Sequence, residues 1–380
     1  MAKIIREYQR CTHCVMDTSD SKITFDENGV CDHCRNFEKN IKPYWKAQEN
    51  RFDELEVLAR KIRKAGKNND YDCILGLSGG ADSSYLAYIA KEVMHLRPLI
   101  FVVDTGWNLN VAVENIEKIV KGLDLDMYTE VVNWKEMADL QLSLFKAQVS
   151  FQDAPQDHAI FAGLYNYAVK HHIKYVLTGS NRSTEFVRPP LEFMPLNDIT
   201  LLKDIHRKFG TRELRTFPMC GIFKYRLLYR YIYGMKRVYP LDYVVYDKEE
   251  AEKLLHDKYG WEKYENKHYE NVFTRFYEGY YLPHKFGYDT RKNVLSSEIL
   301  AGMITRGEAL KILDTPAYDE EQMELDLEYI AKKLGVSKEE FRQVIEGENK
   351  TWKDYRNVMK YILMGAKISR LLGIESRNLR

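Results

Sequence analysis

The chain has 380 residues, of which 45% are hydrophobic and 30% are charged, so it can form one large domain with additions, or two domains. Its 57 basic and 56 acidic side chains leave a net charge of +1, which excludes an overall attraction to nucleic acid or an anionic membrane but not a local basic patch. The N-terminus lacks the apolar stretch of a signal peptide, and the apolar run at 99–103 is too short to cross a bilayer. We therefore expect a cytoplasmic protein with no membrane span and no nucleic-acid partner.

Two CxxC pairs lie near the N-terminus, sixteen residues apart. They are Cys11 with Cys14 and Cys31 with Cys34. This spacing is typical of a four-thiolate zinc site, and the segment between the pairs has the strand, turn, strand pattern of a zinc ribbon. Two disulfides are disfavoured in a chain without an export signal. His13 and His33 are alternative ligands, which we interpret as lying beside the site. Because four thiolates leave no open coordination position, we expect a structural zinc ion.

From residue 71 onward, apolar strand patterns alternate with helical patterns. Strands are predicted at "CILGLS", "LIFVVDT", "MYTEVV" and "YVLTGS", and helices at "SSYLAYIAKEV", "NVAVENIEKIVKGL", around 135–148 and at 156–171. This alternation indicates an α/β fold with a parallel sheet covered on both faces. After residue 246 only helical patterns return, which predicts a helical C-terminal extension. The segment 61–70, "KIRKAGKNND", is the best linker between the cysteine arm and the sheet.

Three predicted strands end in polar segments that contain glycine. The segments are Ser78 to Ser83, Asp104 to Gly106 and Gly179 to Asn181. Ordinary turns would explain any one of them alone. Ligands of parallel α/β sheets bind at the carboxyl ends of the strands, so together the three segments predict a site at one edge of the sheet.

The stretch "ILGLSGGADSSYLAYIA", residues 74 to 90, carries a phosphate loop without the spacing or the lysine of a Walker A motif. It is not GxGxxG either. A strand, a tight glycine turn and a helix N-terminus instead let backbone N–H groups and two hydroxyls surround an anion. Asp82 would repel a bare phosphate, so its position favours a Mg²⁺ ion that bridges the carboxylate to pyrophosphate.

This SGGxDS loop resembles the PP-loop of ATP pyrophosphatases, which cleave ATP between the α and β phosphates. The resemblance implies ATP and Mg²⁺ as cofactors, with Mg²⁺ on Asp82. It also implies that pyrophosphate contacts the loop residues, which are Ser78, Gly79, Gly80, Ser83 and Ser84. Adenosine would lie near residues at two later strand ends, which are Asp104, Thr105, Thr178, Gly179 and Asn181.

Over nearly its full length the chain resembles the N-acetyl sugar amidotransferases of the WbpG and PseA type. The resemblance rests on the cysteine arm, the PP-loop, "LTGSNRSTE", "YPLDYVVYDKEEAEKLL" and "YYLPHKFGYDTRKNVLSSEILAGMITRGEAL". It implies a zinc arm at 1–45, a PP-loop domain at 70–245 and a helical extension at 246–380. It also implies formation of acetamidino sugars for O-antigen or flagellin glycans, from a nucleotide-linked N-acetyl sugar and with ammonia from a glutaminase and (β/α)8-barrel pair.

Attack by ammonia releases protons, so a base near the loop is expected. Asp157 and His158 in "APQDHAIF" and Glu185 in "SNRSTEF" are the candidates; a charge at a helix N-terminus and a solvated loop acid are the simpler interpretations of Asp157 and Glu185. An anionic sugar nucleotide needs cations, and Arg182 and Arg188 are the favoured ones, although surface charges are the commoner case.

The main alternative is a PP-loop tRNA sulfurtransferase, which shares the adenylylation step. Such enzymes usually use a second cysteine pair or a persulfide-bearing cysteine, and only Cys73 and Cys220 remain outside the arm. We interpret both as core residues, and a reactive thiol is the less favoured interpretation of Cys220. The near-neutral charge also disfavours tRNA binding. A non-enzymatic scaffold is the third alternative, which the intact loop disfavours.

Overall fold

The computed structural model describes residues 7–193, 198–264 and 271–371, and within them a five-stranded parallel sheet has the order β3-β2-β1-β4-β5. The strands are β1 (Cys73–Gly76), β2 (Pro98–Asp104), β3 (Met127–Val131), β4 (Tyr175–Leu177) and β5 (Lys236–Val238). Helices pack on both faces of this sheet, an arm with four cysteines precedes it and helices follow it. The predicted fold class is therefore confirmed.

Fifteen α-helices are found in the described residues. They are α1 (Asp32–Asn40), α2 (Phe52–Gly66), α3 (Ala81–Tyr88), α4 (Asn110–Gly122), α5 (Trp134–Lys146), α6 (Ala154–Lys170), α7 (Arg182–Glu185), α8 (Ile199–Phe209), α9 (Lys248–Tyr259), α10 (Val272–Phe276), α11 (Arg291–Ala301), α12 (Arg306–Asp314), α13 (Glu320–Leu334), α14 (Lys338–Ile345) and α15 (Met359–Leu371). π-Helical turns occur at Ile89–Val93, Lys224–Ile232 and Tyr277–Phe286, and 3-10 turns at Pro240–Tyr243 and Trp352–Asp354. None of these helices is long and apolar enough to cross a bilayer.

The central strands are apolar because both faces of the sheet are covered. Successive side chains of a strand point to opposite faces, and neighbouring residues of β1 accordingly belong to different cores. Leu75 packs in the cluster beneath α3 and α4, together with Leu86 and Ile119. Ile74 packs in the cluster beneath α5 and α6, together with Leu140. Two cores thus fix β1 from both sides.

The sheet and the segment before it differ from the sequence-based prediction. Strand β5 was not predicted, since it has only three residues and two of them are charged. It joins the sheet by pairing in parallel with β4, through Val176 opposite Arg237. The predicted linker at 61–70 was wrong over most of its length, because α2 continues to Gly66 on an apolar face that includes the buried Ile62.

The cysteine arm is held mainly by the C-terminal helices. Its predicted ribbon is reduced to isolated antiparallel bridges, of which one joins Phe25 to Cys31. The Nζ of Lys292 lies 2.6 Å from a carboxylate oxygen of the buried Asp17. Arg306 of α12 donates to the carbonyl oxygens of Cys11 and Cys14, both at 3.0 Å. An ion pair and hydrogen bonds therefore join the arm to α11 and α12.

A third core joins the helices after residue 270 to the loop that follows β2. Trp107 is buried and packs against Phe273, with ring centroids 5.1 Å apart. The N–H of Val272 donates to the carbonyl of Trp107 at 3.2 Å. Residues 265–270 and 372–380 of the predicted extension lie outside the described residues, and the three domain boundaries remain predictions.

Candidate active site

The candidate site lies where the direction of strand order reverses. β1 is flanked by β2 and β4, so the connections after β1 and β4 leave the same edge of the sheet in opposite senses. Such a switch point opens a crevice at the carboxyl ends of the strands. The glycine loop follows β1 and the turn from Thr178 follows β4, so the sheet brings two of the three predicted segments together there.

The conformation of the glycine loop depends on Gly79. Its φ of +85° lies in the left-handed region, and a Cβ at this position would overlap the carbonyl oxygen of Ala112. The carbonyl of Gly79 accepts hydrogen bonds from the indole Nε1 of Trp261 at 2.9 Å and from the hydroxyl of Tyr264 at 3.2 Å. Because these donors hold the carbonyl, the loop has one fixed backbone conformation.

Two of the predicted loop hydroxyls meet inside the loop. The Oγ atoms of Ser78 and Ser83 lie 3.2 Å apart, and the N–H of Gly80 donates to the Oγ of Ser78 at 3.3 Å. Ser84 differs, because its side chain is buried and its Oγ has no hydrogen-bond partner among the described residues. The structure therefore groups Ser78, Gly79, Gly80 and Ser83 as an anion cradle. The predicted contact of Ser84 with pyrophosphate requires an exposed hydroxyl, whereas the Ser84 side chain is buried.

Asp82 begins the first turn of α3, and its Oδ1 accepts a hydrogen bond from the hydroxyl of Tyr246. Burial, together with the charge of Asp82, raises the pKa of Tyr246 well above its ordinary value, so the phenol stays protonated and donates. Gly179 lies against this turn, since a Cβ there would be 3.2 Å from the backbone N of Ser83. The β4 turn thus closes on the start of α3.

The residues predicted to lie near adenosine already have protein partners. The Oδ1 of Asp104 accepts from the N–H of Gly106 at 2.8 Å, and the hydroxyl of the buried Thr105 donates to the Oε1 of Gln156 at 2.9 Å. The Oγ1 of Thr178 accepts from the N–H of Ser180 at 3.3 Å. Asn181 caps α7 through its side chain. These contacts order the edge of the sheet, and the predicted adenosine contacts stay predictions.

A single cavity of about 1990 Å³ opens from this edge of the sheet. Ser78, Thr105 and Thr178 line it from the sheet, His33 from the cysteine arm and Asn271 from the C-terminal helices. Pockets for one small ligand usually measure roughly 300–1,000 Å³. The cavity is therefore large enough for two substrates side by side.

Asp157 and His158 are neighbours on α6 in opposite environments. Asp157 is accessible from the cavity that it lines but is surrounded by protein, and this desolvation raises its pKa to about 6. His158 is buried, and the same cause lowers its pKa to about 4. The Nε2 of His158 accepts the N–H of Cys220 at 3.2 Å, so the imidazole is neutral and committed to the core. The prediction of His158 as a base is therefore not supported by its environment.

Arg182 is already balanced by a carboxylate. Its Nε lies 3.5 Å from Asp242, which also accepts the N–H of Arg182 at 2.8 Å. Burial raises the pKa of Asp242, whereas the charge of Arg182 opposes that shift. Glu185 ends α7 and Arg188 follows it, and both line the cavity. The structure thus places Arg182, Glu185, Arg188 and Asp242 on one wall of the cavity.

The sequence-based prediction missed several residues of the cavity wall. In the wall they are Gln156, Arg237, Asp242 and Asn271, and behind the glycine loop it missed Tyr246, which donates to Asp82. Asn271 donates to the Oε1 of Gln156 at 2.8 Å, across more than a hundred positions of sequence. Only Asp242 and Tyr246 had a signal, because both stand in "YPLDYVVYDKEEAEKLL", where the resemblance was noted but no role was given.

The four arm cysteines are gathered in a cluster that could hold a metal ion. Their sulfur atoms all lie within 4.8 Å of one another, all four side chains are buried, and none is in a disulfide. Neighbouring Sγ atoms are 3.5 Å to 3.8 Å apart. Tetrahedral zinc with Zn–S bonds of about 2.3 Å requires sulfur atoms about 3.8 Å apart. The donor set therefore fits zinc, which would stabilise the arm without binding substrate.

The imidazole of His33 is not a ligand in this arrangement. Its Nε2 lies 3.0 Å from the buried carboxylate of Asp20. Outside the arm, Cys73 and Cys220 are both buried. Burial raises the pKa of Cys73 well above its ordinary value and that of Cys220 to about 11, so neither is a thiolate at neutral pH.

The parallel sheet, the switch point and the glycine loop that enters α3 define the class of the protein as an α/β fold of the PP-loop type. Residues 270–369 match the family model described as "LPS biosynthesis protein WbpG-like, C-terminal domain". The chain is thus WbpG-like in its C-terminal domain, and the resemblance predicted from the sequence is confirmed.

Similarity to a curated relative is partial. A protein of Methanocaldococcus jannaschii described as uncharacterized protein MJ1599 is 29% identical over 119 residues, which are 31% of this chain and 41% of the relative. The match therefore covers less than half of that relative's length.

Several solved structures resemble part of this chain, with low TM-scores. They include the NH3-dependent NAD synthetase of Campylobacter jejuni, with 20% identity, TM-score 0.26 and coverage of 35% of this chain and 58% of that one. The U34-tRNA thiolase NcsA of Methanococcus maripaludis has 14% identity, TM-score 0.30 and coverage of 69% and 79%. NMN synthetase of Francisella tularensis has 13% identity, TM-score 0.27 and coverage of 57% and 99%. Nothing about activity follows from these scores.

We expect the purified protein to contain zinc in equimolar amount, and the Cys34→Ser variant to lose it, because three thiolates bind zinc far less tightly than four. Elemental analysis of both proteins measures this. Cys220→Ala is the matched control and should keep its zinc. Equal zinc in Cys34→Ser and wild type would contradict the assignment.

Replacing Gly79 by Ala should destabilise the protein and abolish binding of an ATP analogue, since the new Cβ meets the backbone of Ala112. Gly335→Ala is the control, because Gly335 has a φ of +82° but open space around it. The left-handed conformation alone costs about 1–2 kcal/mol, so Gly79→Ala should lose more than Gly335→Ala in urea unfolding. Equal losses would show that the overlap with Ala112 is relieved without cost.

Proposed function

We propose that the protein is an ATP-dependent, AMP-forming amidotransferase that converts the N-acetyl group of a nucleotide-linked sugar into an acetamidino group. The observation that carries this proposal is one cavity that is lined by Ser78 at the start of the glycine loop, by the acid Asp157 and by residues of the WbpG-like domain. The reaction would serve the lipopolysaccharide O-antigen or another surface glycan. Because it consumes ATP and a sugar nucleotide, we assign it to the cytoplasm.

The first step would activate the amide. The acetyl oxygen attacks the α-phosphorus of ATP, pyrophosphate leaves, and the amide N–H proton is released, which gives an O-adenylyl imidate. Ser78, Gly80 and Ser83 would hold the pyrophosphate through hydroxyl and N–H donors. Asp82 would hold a Mg²⁺ ion, which neutralises charge on the phosphates. The protein contributes positioning and charge stabilisation and needs no nucleophile of its own.

The second step would replace oxygen by nitrogen. Ammonia attacks the imidate carbon, a proton leaves the new nitrogen, and the C–O bond to AMP breaks, so the products are the amidine and AMP. Asp157 is the base that the structure favours, because a carboxylate with a pKa of about 6 is ionised at neutral pH and still accepts a proton. His158 also lines the cavity, but burial lowers its pKa to about 4 and its Nε2 already accepts the N–H of Cys220. Glu185 is a second acid that lines the cavity, beside the two arginines that would contact the sugar.

The remaining substrates would reach the cavity from outside. Arg182 and Arg188 line it beside Glu185 and would contact the sugar. We propose that a glutaminase and (β/α)8-barrel pair supplies the ammonia, since activated imidates also react with water and a guided supply favours nitrogen.

A tRNA sulfurtransferase is the second candidate, and the chemistry of the cysteines disfavours it. The four arm thiols are gathered around a metal site, and the pKa values of Cys73 and Cys220 are raised by burial. A persulfide carrier needs an accessible thiolate, which none of the six described cysteines offers.

Incubation with ATP, Mg²⁺, ammonium and a panel of N-acetylated nucleotide sugars should release AMP and pyrophosphate with one acceptor. The same sugar with a free amine should be inactive, because it has no amide oxygen to adenylylate. Asp82→Ala should abolish release while the protein stays folded. Release of ADP, or release that depends on tRNA, would refute the proposal.

Turnover should rise with pH through about 6 and then level off, when free ammonia is held constant, because Asp157 must be ionised. Asp157→Asn should be slower by about 10²–10⁴-fold and lose this inflection. The folded pKa lies above the ordinary 3.8, so ionisation of Asp157 costs stability as pH rises from about 4 to 6. The variant should therefore be at least as stable as wild type at pH 8. A retained inflection would assign the base elsewhere.

A further inference from the structure

A second wall of the cavity is basic and lacks balancing acids. The segment 214–241 contains six basic residues and no acidic one. Arg226, Arg230 and Arg237 from this segment line the cavity. None of the three forms an ion pair with any residue in the described ranges, and the Nε of Arg237 is buried without a hydrogen-bond partner there. Arg182 differs, because Asp242 neutralises it.

Aromatic rings lie beside this basic wall. The guanidinium of Arg237 lies 5.5 Å from the ring centroid of Phe161 and 5.3 Å from that of Tyr239. The rings of Phe161 and Tyr165 are stacked at 5.9 Å, and those of Tyr165 and Tyr225 at 4.8 Å. Several arginines beside flat aromatic rings suit a ligand that combines phosphates with a planar base.

The spacing along α6 connects this wall to the proposed reaction centre. Asp157, Phe161 and Tyr165 are four residues apart, so they share one face of the helix, and all three line the cavity. Each interval spans about 6 Å along the axis. Arg237 contacts Phe161, the residue one interval along this face from the proposed base, so the basic wall and Asp157 border the same part of the cavity.

We propose that Arg226, Arg230 and Arg237 bind the diphosphate of a nucleoside-diphosphate sugar, with its base beside the rings of Phe161 and Tyr225. This inference rests on the proposed function and specifies its substrate class. Three unbalanced cations match the charge of a diphosphate better than that of a monophosphate linkage. ATP would bind at the glycine loop, whose Ser78 lines the same cavity, and the volume of about 1990 Å³ accommodates both ligands.

Calorimetric titration with UDP, TDP and UMP tests the inference, with the glycine loop saturated by a non-hydrolysable ATP analogue. At least one diphosphate should bind wild type, and more tightly than UMP. Arg226→Met and Arg230→Met should each weaken diphosphate binding about tenfold or more, because each removes a charge-assisted contact. Arg237→Met should do the same. Arg237 is half-buried, so if the Arg237→Met variant does not fold, Arg226→Met and Arg230→Met decide the result.

Arg215→Met is the matched control, since Arg215 lies on the same basic segment but outside the cavity and pairs with Glu213. It should bind diphosphate like wild type, and all variants should bind the ATP analogue equally. The inference is overturned if no diphosphate binds wild type, if the arginine variants bind it unchanged, or if Arg182→Met alone loses it. The proposed function fails in a different way: no acceptor causes release of AMP, although the diphosphate still binds.

Discussion

The site depends on the backbone of Gly79. Its left-handed conformation turns the chain from β1 into α3, and its carbonyl is held by Trp261 and Tyr264, which lie almost two hundred residues away. Such distant donors hold the loop in place only once the sheet and the segment after α9 have folded together. A loop that is preorganised in this way binds an anion without having to order itself at that moment.

The cavity is a product of three parts of the chain. The α/β domain supplies Ser78 at the sheet edge and Asp157 on α6, the arm supplies His33, and the C-terminal helices supply Asn271. Arg306 joins the arm to those helices through the carbonyls of Cys11 and Cys14. A zinc ion bound by the four cysteines would therefore have a mechanical role, because it would rigidify the arm that contributes to the cavity wall.

Local sequence patterns predicted most of the regular structure and failed where length or charge removed the pattern. The strands β1, β2 and β4 carry continuous apolar runs, β3 has the mixed sequence MYTEV, and the structure has all four at the predicted places. The three residues of β5 include Lys236 and Arg237, so they resemble a surface loop. That strand exists because its backbone pairs with β4, and tertiary pairing is absent from local propensity.

The sequence by itself determined the chemistry that is available: four thiolates at zinc spacing, a glycine loop without a Walker lysine, and an acid at the start of α6. Those features depend on residue type and spacing, which are local. Only the tertiary structure decided which groups act together. It buried His158 and left Asp157 in the cavity, neutralised Arg182 with Asp242, and left Arg226, Arg230 and Arg237 without a carboxylate among the described residues. Desolvation and charge pairing depend on neighbours far apart in the chain, and for that reason folding sets them.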